Sequence, residues 1–172
     1  MYYITSYMRE EMLHVQVKGV AIPSEDAAPV VILEEVDGGR DFTVTVGAAE
    51  AGAILMELEG LSTPRPMTHE LMAQVFKEQG LSIKRIELYG LYGADEDGFL
   101  ARLEYGRGLR NWTRDVRPSD ALALAVATSA PVYAHQSLFS SHASSMDYTM
   151  SRFQESGNTW SMESGRAWKA PL

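Results

Sequence analysis

The 172-residue sequence contains no cysteine. Disulfide bonds, thiolate metal ligands and catalysis by a thiol are therefore excluded. The sequence also lacks an apolar run long enough to span a bilayer, and its N-terminus, MYYIT, lacks the charged start and the long apolar stretch of a signal peptide. From these absences we expect a cytoplasmic protein.

Basic residues are few, since 15 Lys and Arg stand against 23 Asp and Glu and the formal net charge is −8. This balance argues against sequence-independent adhesion to nucleic acid through a broad basic face. A polyanion would have to be bound locally or through bridging cations. Hydrophobic residues make up an ordinary 45% of the chain, and the length suits one domain with a hydrophobic core.

Two hydrophobic periods divide the chain into strands and helices. Alternation predicts strands at 12–20, 30–36, 42–46, 81–92, 99–105 and 131–134. A period near 3.6 predicts helices at 48–61 and 68–79, and a wholly apolar run at 121–127 predicts an enclosed helix. We therefore predict an α+β fold in which a mixed, mostly antiparallel sheet packs with about three helices in a single compact domain.

The last part of the chain differs from the rest in composition. Nine serines fall between residues 137 and 172, with isolated aromatic residues and no sustained period. We predict a folded domain at 1–136 and a Ser-rich C-terminal extension at 137–172. Such an extension is mobile alone, or it docks on the domain or on a partner subunit.

A polar run, Asp115 to Asp120, leads directly into the apolar helix. Pro118 suits the first helical position, and Ser119 and Asp120 then lie near the first turn, where unpaired N–H groups favour oxygen acceptors. Arg117 is disfavoured beside a helix N-terminus, so we expect it to pair with Asp115, Asp120 or an acid from elsewhere. The run is either a buried structural lock or a functional site.

Other candidate residues lie on the two preceding helices. Glu50 and Glu57 border the apolar stripe of the helix at 48–61, and Arg65 is held between two prolines. Thr68 is expected to be the N-cap of the next helix. His69 then falls in the first turn, where the dipole favours the neutral imidazole, which is able to accept a proton or bind a metal.

Two further patterns bear on the later structure. The helix at 68–79 is predicted to place Leu71, Met72, Val75 and Phe76 in the core. Between residues 109 and 116, alternation places Arg114 on the same side as Trp112 and Val116, where a charged residue does not fit the apolar pattern.

Three blocks resemble, in order and spacing, the motifs of the bifunctional nuclease domain family: GAAEAGAI (47–54), TPRPMTHEL (63–71) and DVRPSDALAL (115–124). The resemblance covers about residues 10–136. It implies a compact α+β domain, commonly homodimeric, and some plant members are described as cutting both RNA and DNA. Its polar set falls on Glu50, Glu57, Arg65, His69, Asp115, Arg117, Ser119 and Asp120. The chain departs from the family pattern with Glu70 in place of an aspartate, a longer acidic turn at 95–97 and the Ser-rich tail.

This set of side chains suggests metal-assisted hydrolysis of phosphodiester bonds. Our hypothesis makes Glu50, Asp115 and Asp120 ligands of Mg²⁺ or Mn²⁺, with Glu57 as a weaker candidate. His69 would act as base or ligand, and Arg117 and Arg65 would hold phosphate. Ser119 is a further member of the proposed catalytic set.

Two other functions fit the same residues. In the first, Arg117 pairs with Asp120 or Glu50 to clamp helices, and the domain is a non-catalytic dimeric binding module. In the second, helix N-termini and the two arginines bind a nucleotide through its phosphates, although no glycine-rich loop supports this.

Overall fold

The computed structural model describes residues 11–23, 27–90 and 99–141. Within these ranges the chain forms seven strands and four helices. The strands are β1 (Met12–Ala21), β2 (Val30–Glu35), β3 (Asp41–Thr45), β4 (Ser82–Gly90), β5 (Phe99–Arg107), β6 (Arg110–Val116) and β7 (Val132–His135). The helices are α1 (Ala48–Leu58), α2 (Thr68–Glu78), α3 (Pro118–Thr128) and α4 (Ser137–Ser141).

All seven described strands join one sheet in the order β3-β2-β1-β7-β4-β5-β6. Each neighbouring pair is antiparallel except β4 and β7, which are parallel. The predicted α+β class and the mixed, mostly antiparallel sheet are therefore confirmed. β6 forms one edge of the sheet, and its last residue leads directly into α3.

The apolar helix α3 packs against α1, α2 and the sheet. The five consecutive residues Ala121 to Ala125 are all buried, which confirms the enclosed helix that the apolar run predicts. Large buried side chains from both halves of the sheet, among them Phe42, Leu33 and Leu88, complete the core. The core therefore holds the N-terminus of α3, with its polar run, in a fixed position at the core's edge.

The helix α2 lies at the periphery of the fold, and the prediction that its apolar residues form core was wrong. Leu71, Met72 and Val75 are exposed, and no residue of this helix is fully buried. The reason is that α2 packs mainly on α3, so it presents only its inner side to the protein. Phe76, on that inner side, contacts the ring of Tyr105 in β5 at 5.5 Å between centroids.

The start of α2 also differs from the prediction, because Met67 and not Thr68 is the N-cap residue. The carboxylate of Glu70 accepts a hydrogen bond of 2.7 Å from the backbone N–H of Met67. This is the returning bond of a capping box, which a side chain as long as glutamate makes from the third helical position.

The first residues of the predicted C-terminal extension belong to the packed structure. Leu138 and Phe139 of α4 are buried, and the ring of Phe139 meets that of Phe42 edge to face at 5.0 Å. The described part of the domain thus extends to residue 141. The remaining residues of the extension and the acidic turn at 94–98 lie outside the described residues. No helix in the described part of the chain is long and apolar enough to cross a membrane.

Candidate functional site

The turn from β6 into α3 fixes the first two candidate side chains. Arg117 is the N-cap residue of α3 with an extended backbone, and Pro118 begins the helix, as predicted for the first helical position. Asp120 then lies in the first turn of the helix, where the dipole favours its negative charge.

Arg117 and Asp120 form a two-bond ion pair. The Nε of Arg117 donates to Oδ2 of Asp120 at 2.7 Å, and its Nη2 donates to Oδ1 at 2.8 Å. These hydrogen bonds from Arg117 lower the pKa of Asp120, although partial burial of the carboxyl opposes them; the charges of Arg117 and His69 add to the decrease. Asp120 is therefore an ionised acceptor that orients Arg117.

Glu50 reaches the same arginine from the first turn of α1. Its Oε1 accepts a hydrogen bond of 3.3 Å from Nη2 of Arg117. The carboxylate of Glu50 also lies over Gly47, so close that a Cβ at that position would collide with Oε2. Gly47 was not among the site residues predicted from the sequence, although its place three residues before Glu50, at the start of a helix, is a signal for such a contact.

His69 faces the cluster from the first turn of α2. Its Nε2 lies 3.6 Å from Oδ1 of Asp120, and its Nδ1 is buried without a hydrogen-bond partner among the described residues. Because the ring is largely buried with one nitrogen directed at Asp120 and the other enclosed, the imidazole is directed towards the protein. The ring therefore faces Asp120 and has little exposed surface with which to contact a substrate.

These four residues, Glu50, His69, Arg117 and Asp120, form what we call the Arg117 cluster. Although two carboxylates contact it, the Arg117 side chain remains 69% exposed. Its bonds use Nε and Nη2, so both N–H groups of Nη1 have no partner among the described residues. The cluster therefore offers a solvent-facing guanidinium held from behind by acids, which is an arrangement suited to binding an anionic oxygen.

Asp115 is not brought to this cluster. In β6, Val116 pairs with the buried Ala101, whereas Asp115 pairs with Arg102, so the Asp115 side chain lies on the opposite face of the sheet. There its Oδ1 accepts hydrogen bonds from Nε of Arg102 at 3.2 Å and from the hydroxyl of Tyr89 at 3.3 Å. We call these three residues the Asp115 cluster.

Glu57 lies in a different place again, in a cavity of about 620 Å³ between α1, α2 and the start of β4 that Glu70 also lines. Burial, and then the nearby negative charge of Glu70, raise the pKa of Glu57. Arg65 is exposed and Ser119 is half-buried. Among the described residues, neither side chain has a hydrogen bond or an ion pair with the Arg117 cluster. The structure thus unites four of the eight candidates.

The donor set does not fit a resident metal ion. Within residues 11–23, 27–90 and 99–141, no group of three or more His, Asp or Glu side chains is placed to hold one. Both carboxylate oxygens of Asp120 are bound by Arg117, and Glu50 is bound by the same guanidinium. Asp115, the third proposed ligand, is on the other sheet face.

Comparison with known proteins relates the chain to one domain family. A sequence model described as the bifunctional nuclease domain matches residues 31–147, about two thirds of the chain. The chain is 32% identical over 127 residues to the uncharacterized protein Rv1829 of Mycobacterium tuberculosis (strain ATCC 25618 / H37Rv), and the match covers 74% of each chain. It is 23% identical over 130 residues to Bifunctional nuclease 2 of Oryza sativa subsp. japonica, covering 73% of this chain and 39% of the rice protein. The chain belongs to the bifunctional nuclease domain family.

Proposed function

We propose that this protein hydrolyses phosphodiester bonds of RNA, DNA or both at the Arg117 cluster. The observation that carries the proposal is the meeting of three motif blocks in one place. Glu50 comes from the first block, His69 from the second, and Arg117 and Asp120 from the third. Glu50 and Asp120 bond the exposed guanidinium of Arg117, and His69 lies against Asp120. The rice relative's name, Bifunctional nuclease 2, supports the same chemistry.

Each member of the cluster has a role in this proposal. The free Nη1 donors of Arg117 bind a non-bridging phosphate oxygen and stabilise the charge that develops there. Asp120 fixes the orientation of the guanidinium, and His69 supports Asp120. Glu50, whose Oε1 bonds Nη2 of the same guanidinium, accepts the proton of the attacking water. As the new P–O bond forms, the P–O bond to the leaving oxygen breaks, and that oxygen takes its proton from solvent.

Assistance by Mg²⁺ or Mn²⁺ stays a prediction. When bound, such an ion would polarise the phosphoryl group and lower the pKa of water. Because Arg117 bonds to both Asp120 and Glu50, we propose that any ion is bound together with substrate phosphate. Assays with added Mg²⁺, with Mn²⁺ and with a chelator test this prediction.

Two variants test the proposal, each replacing one aspartate of the third motif block by asparagine. We expect Asp120→Asn to lower the rate of cleavage about 100-fold or more, since it removes the anion that orients the phosphate-binding arginine. Asp115→Asn should change the rate by less than about twofold, because that exposed carboxylate contributes little to folding and lies on the other face. Equal rates for wild type and Asp120→Asn, on RNA and DNA with each metal, would contradict the proposal.

A second candidate function, the non-catalytic dimeric module, is favoured by one observation. Arg117 links α1 to α3 through Glu50 and Asp120, as expected of a structural clamp. We also propose a homodimer, because α2 leaves Leu71, Met72 and Val75 exposed side by side. Sedimentation of the wild type tests the dimer. A protein that never cleaves nucleic acid, yet loses much stability with Arg117→Gln, would favour the clamp over the nuclease.

A further inference from the structure

The edge strand β6 presents an unusual set of side chains on one face. Its register with β5 is continuous, so Arg110, Trp112 and Arg114 alternate onto the same side of the sheet. We call these three residues the Arg–Trp–Arg surface. Trp112 is 39% exposed and its ring stacks on that of Tyr105, with 5.7 Å between centroids. The surface is thus an exposed indole between two exposed guanidinium groups.

The two arginines differ from most other arginines of the described chain. Neither Arg110 nor Arg114 has a side-chain hydrogen bond or an ion pair among the described residues. By contrast, four arginines each contact a carboxylate: Arg40, Arg85, Arg102 and Arg117. In a chain with a net charge of −8, acids are abundant, so two unpaired cations beside an exposed indole favour an anionic partner from outside the protein.

The Arg–Trp–Arg surface lies on the same side of the sheet as the Arg117 cluster. Tyr105, beneath Trp112, contacts Phe76 of α2, and the neighbouring Arg107 donates to the carbonyl of Gln79 at the end of that helix. Residue 117 follows β6 directly, and strand residues rise about 3.3 Å each, so Arg114 lies roughly 10 Å before Arg117 along the chain. A polymer bound along β6 would therefore reach the cluster.

We propose that the Arg–Trp–Arg surface binds single-stranded nucleic acid and directs it to the Arg117 cluster. The indole of Trp112 stacks on an unpaired base, and the flanking guanidinium groups bind phosphates on either side. A duplex keeps its bases stacked inside, so this surface selects single strands. This substrate class rests on the proposed function, but the binding surface itself is testable without cleavage.

Binding is measured by fluorescence anisotropy with a short, labelled phosphorothioate oligonucleotide, in chelator and over a range of salt concentrations. Trp112→Leu keeps apolar bulk but removes the aromatic face, and we expect about a tenfold loss of affinity. Trp112→Phe should recover most of it. Arg114→Gln should lower the slope of log affinity against log salt by about 0.7, the value for one phosphate contact on a single strand.

The matched control is Lys18→Gln, which removes one positive charge from β1; three strands lie between β1 and β6. It should leave the salt slope unchanged. Each variant's melting temperature is measured, so that a loss of affinity in a folded protein is separated from unfolding. Equal affinity of wild type and Trp112→Leu for the single strand, or equal slopes for Arg114→Gln and Lys18→Gln, would overturn the proposal.

The outcomes separate this surface from the proposed function. Variant-sensitive binding without any cleavage would keep the surface and reject the nuclease. Cleavage that Trp112→Leu and Arg114→Gln leave unchanged would keep the nuclease and reject the surface. If the variants instead convert a dimer to a monomer in sedimentation while oligonucleotide affinity stays the same, the surface is an interface between two copies of the chain and the proposal fails.

Discussion

The Arg117 cluster and the Asp115 cluster each contain residues of the same six-residue run, 115–120, but lie on opposite faces of the sheet. Each pairs an aspartate with an arginine, and the two aspartates are five residues apart. Strand alternation directs Asp115 to the face away from the helices, whereas the turn into α3 brings Asp120 to α1 and α2. An acid's place in a motif therefore does not decide whether it belongs to the site.

The two clusters also differ in how their arginines are held. Arg117 makes a two-bond pair with Asp120 and a further bond to Glu50, whereas Arg102 makes one bond to Asp115. The Asp115 side chain is 73% exposed, and an exposed single-bond pair contributes little to stability. This contrast is the reason why the proposed function places the chemistry at the first cluster and gives the second cluster no part in it.

Replacing each arginine by lysine is the strongest test of this comparison. Lysine keeps the charge but cannot make the planar two-bond contact. Charge-assisted hydrogen bonds contribute roughly 1.5–3 kcal/mol each, so Arg117→Lys should lower kcat/KM about tenfold or more. Arg102→Lys should leave it unchanged. Steady-state cleavage assays of the two variants check this, and equal losses would show that the two clusters do not differ in function.

Much of the fold could be predicted from the sequence, because hydrophobic period reports directly on local structure. The all-apolar run predicted the enclosed helix α3, and the proline at position 118 predicted where it begins. Alternation also predicts the side of the sheet on which Asp115 lies, and the metal hypothesis did not take this into account. The pattern placed Arg114 with Trp112 and Val116, which implies that Asp115 points to the other face.

Other features depend on tertiary packing and could not be predicted. The amphipathic pattern of α2 shows that one side is apolar, but it does not show that Leu71 and Val75 are left uncovered by the described protein. Likewise, the contact of Glu50 with Arg117 joins residues 67 positions apart. It depends on how α1 packs against α3, and no local pattern contains that information.

Gly47→Ala tests the Glu50 side of the Arg117 cluster with a smaller expected effect. The backbone at Gly47 suits alanine, but the new Cβ would displace the carboxylate of Glu50. Because only the end of a flexible side chain must move, we expect cleavage to fall several-fold while stability changes by less than about 1 kcal/mol. Gly52→Ala, where a Cβ meets nothing within 4 Å, is the control and should retain activity. Unchanged cleavage by Gly47→Ala would remove Glu50 from the proposed mechanism.

The smallest expected effect compares two acids whose pKa values shift in opposite directions. Arg117 lowers the pKa of Asp120, whereas burial and then Glu70 raise the pKa of Glu57. A raised pKa means that ionised Glu57 destabilises the fold: the cost is absent below the ordinary value of 4.5 and complete above the folded-state pKa.

Glu57→Gln should therefore raise the melting temperature at neutral pH, and this gain should vanish as the pH falls below the ordinary value. Asp120→Asn should show the opposite sign, since ionised Asp120 stabilises the fold above its unfolded pKa and loses this effect as the pH falls through its lower folded value. Glu59→Gln, on the same helix end, controls for the change in net charge. Melting curves over a pH series measure all three. If Glu57→Gln still raises the melting temperature at acid pH, the gain comes from packing and not from the cost of ionising the partly buried Glu57 beside Glu70.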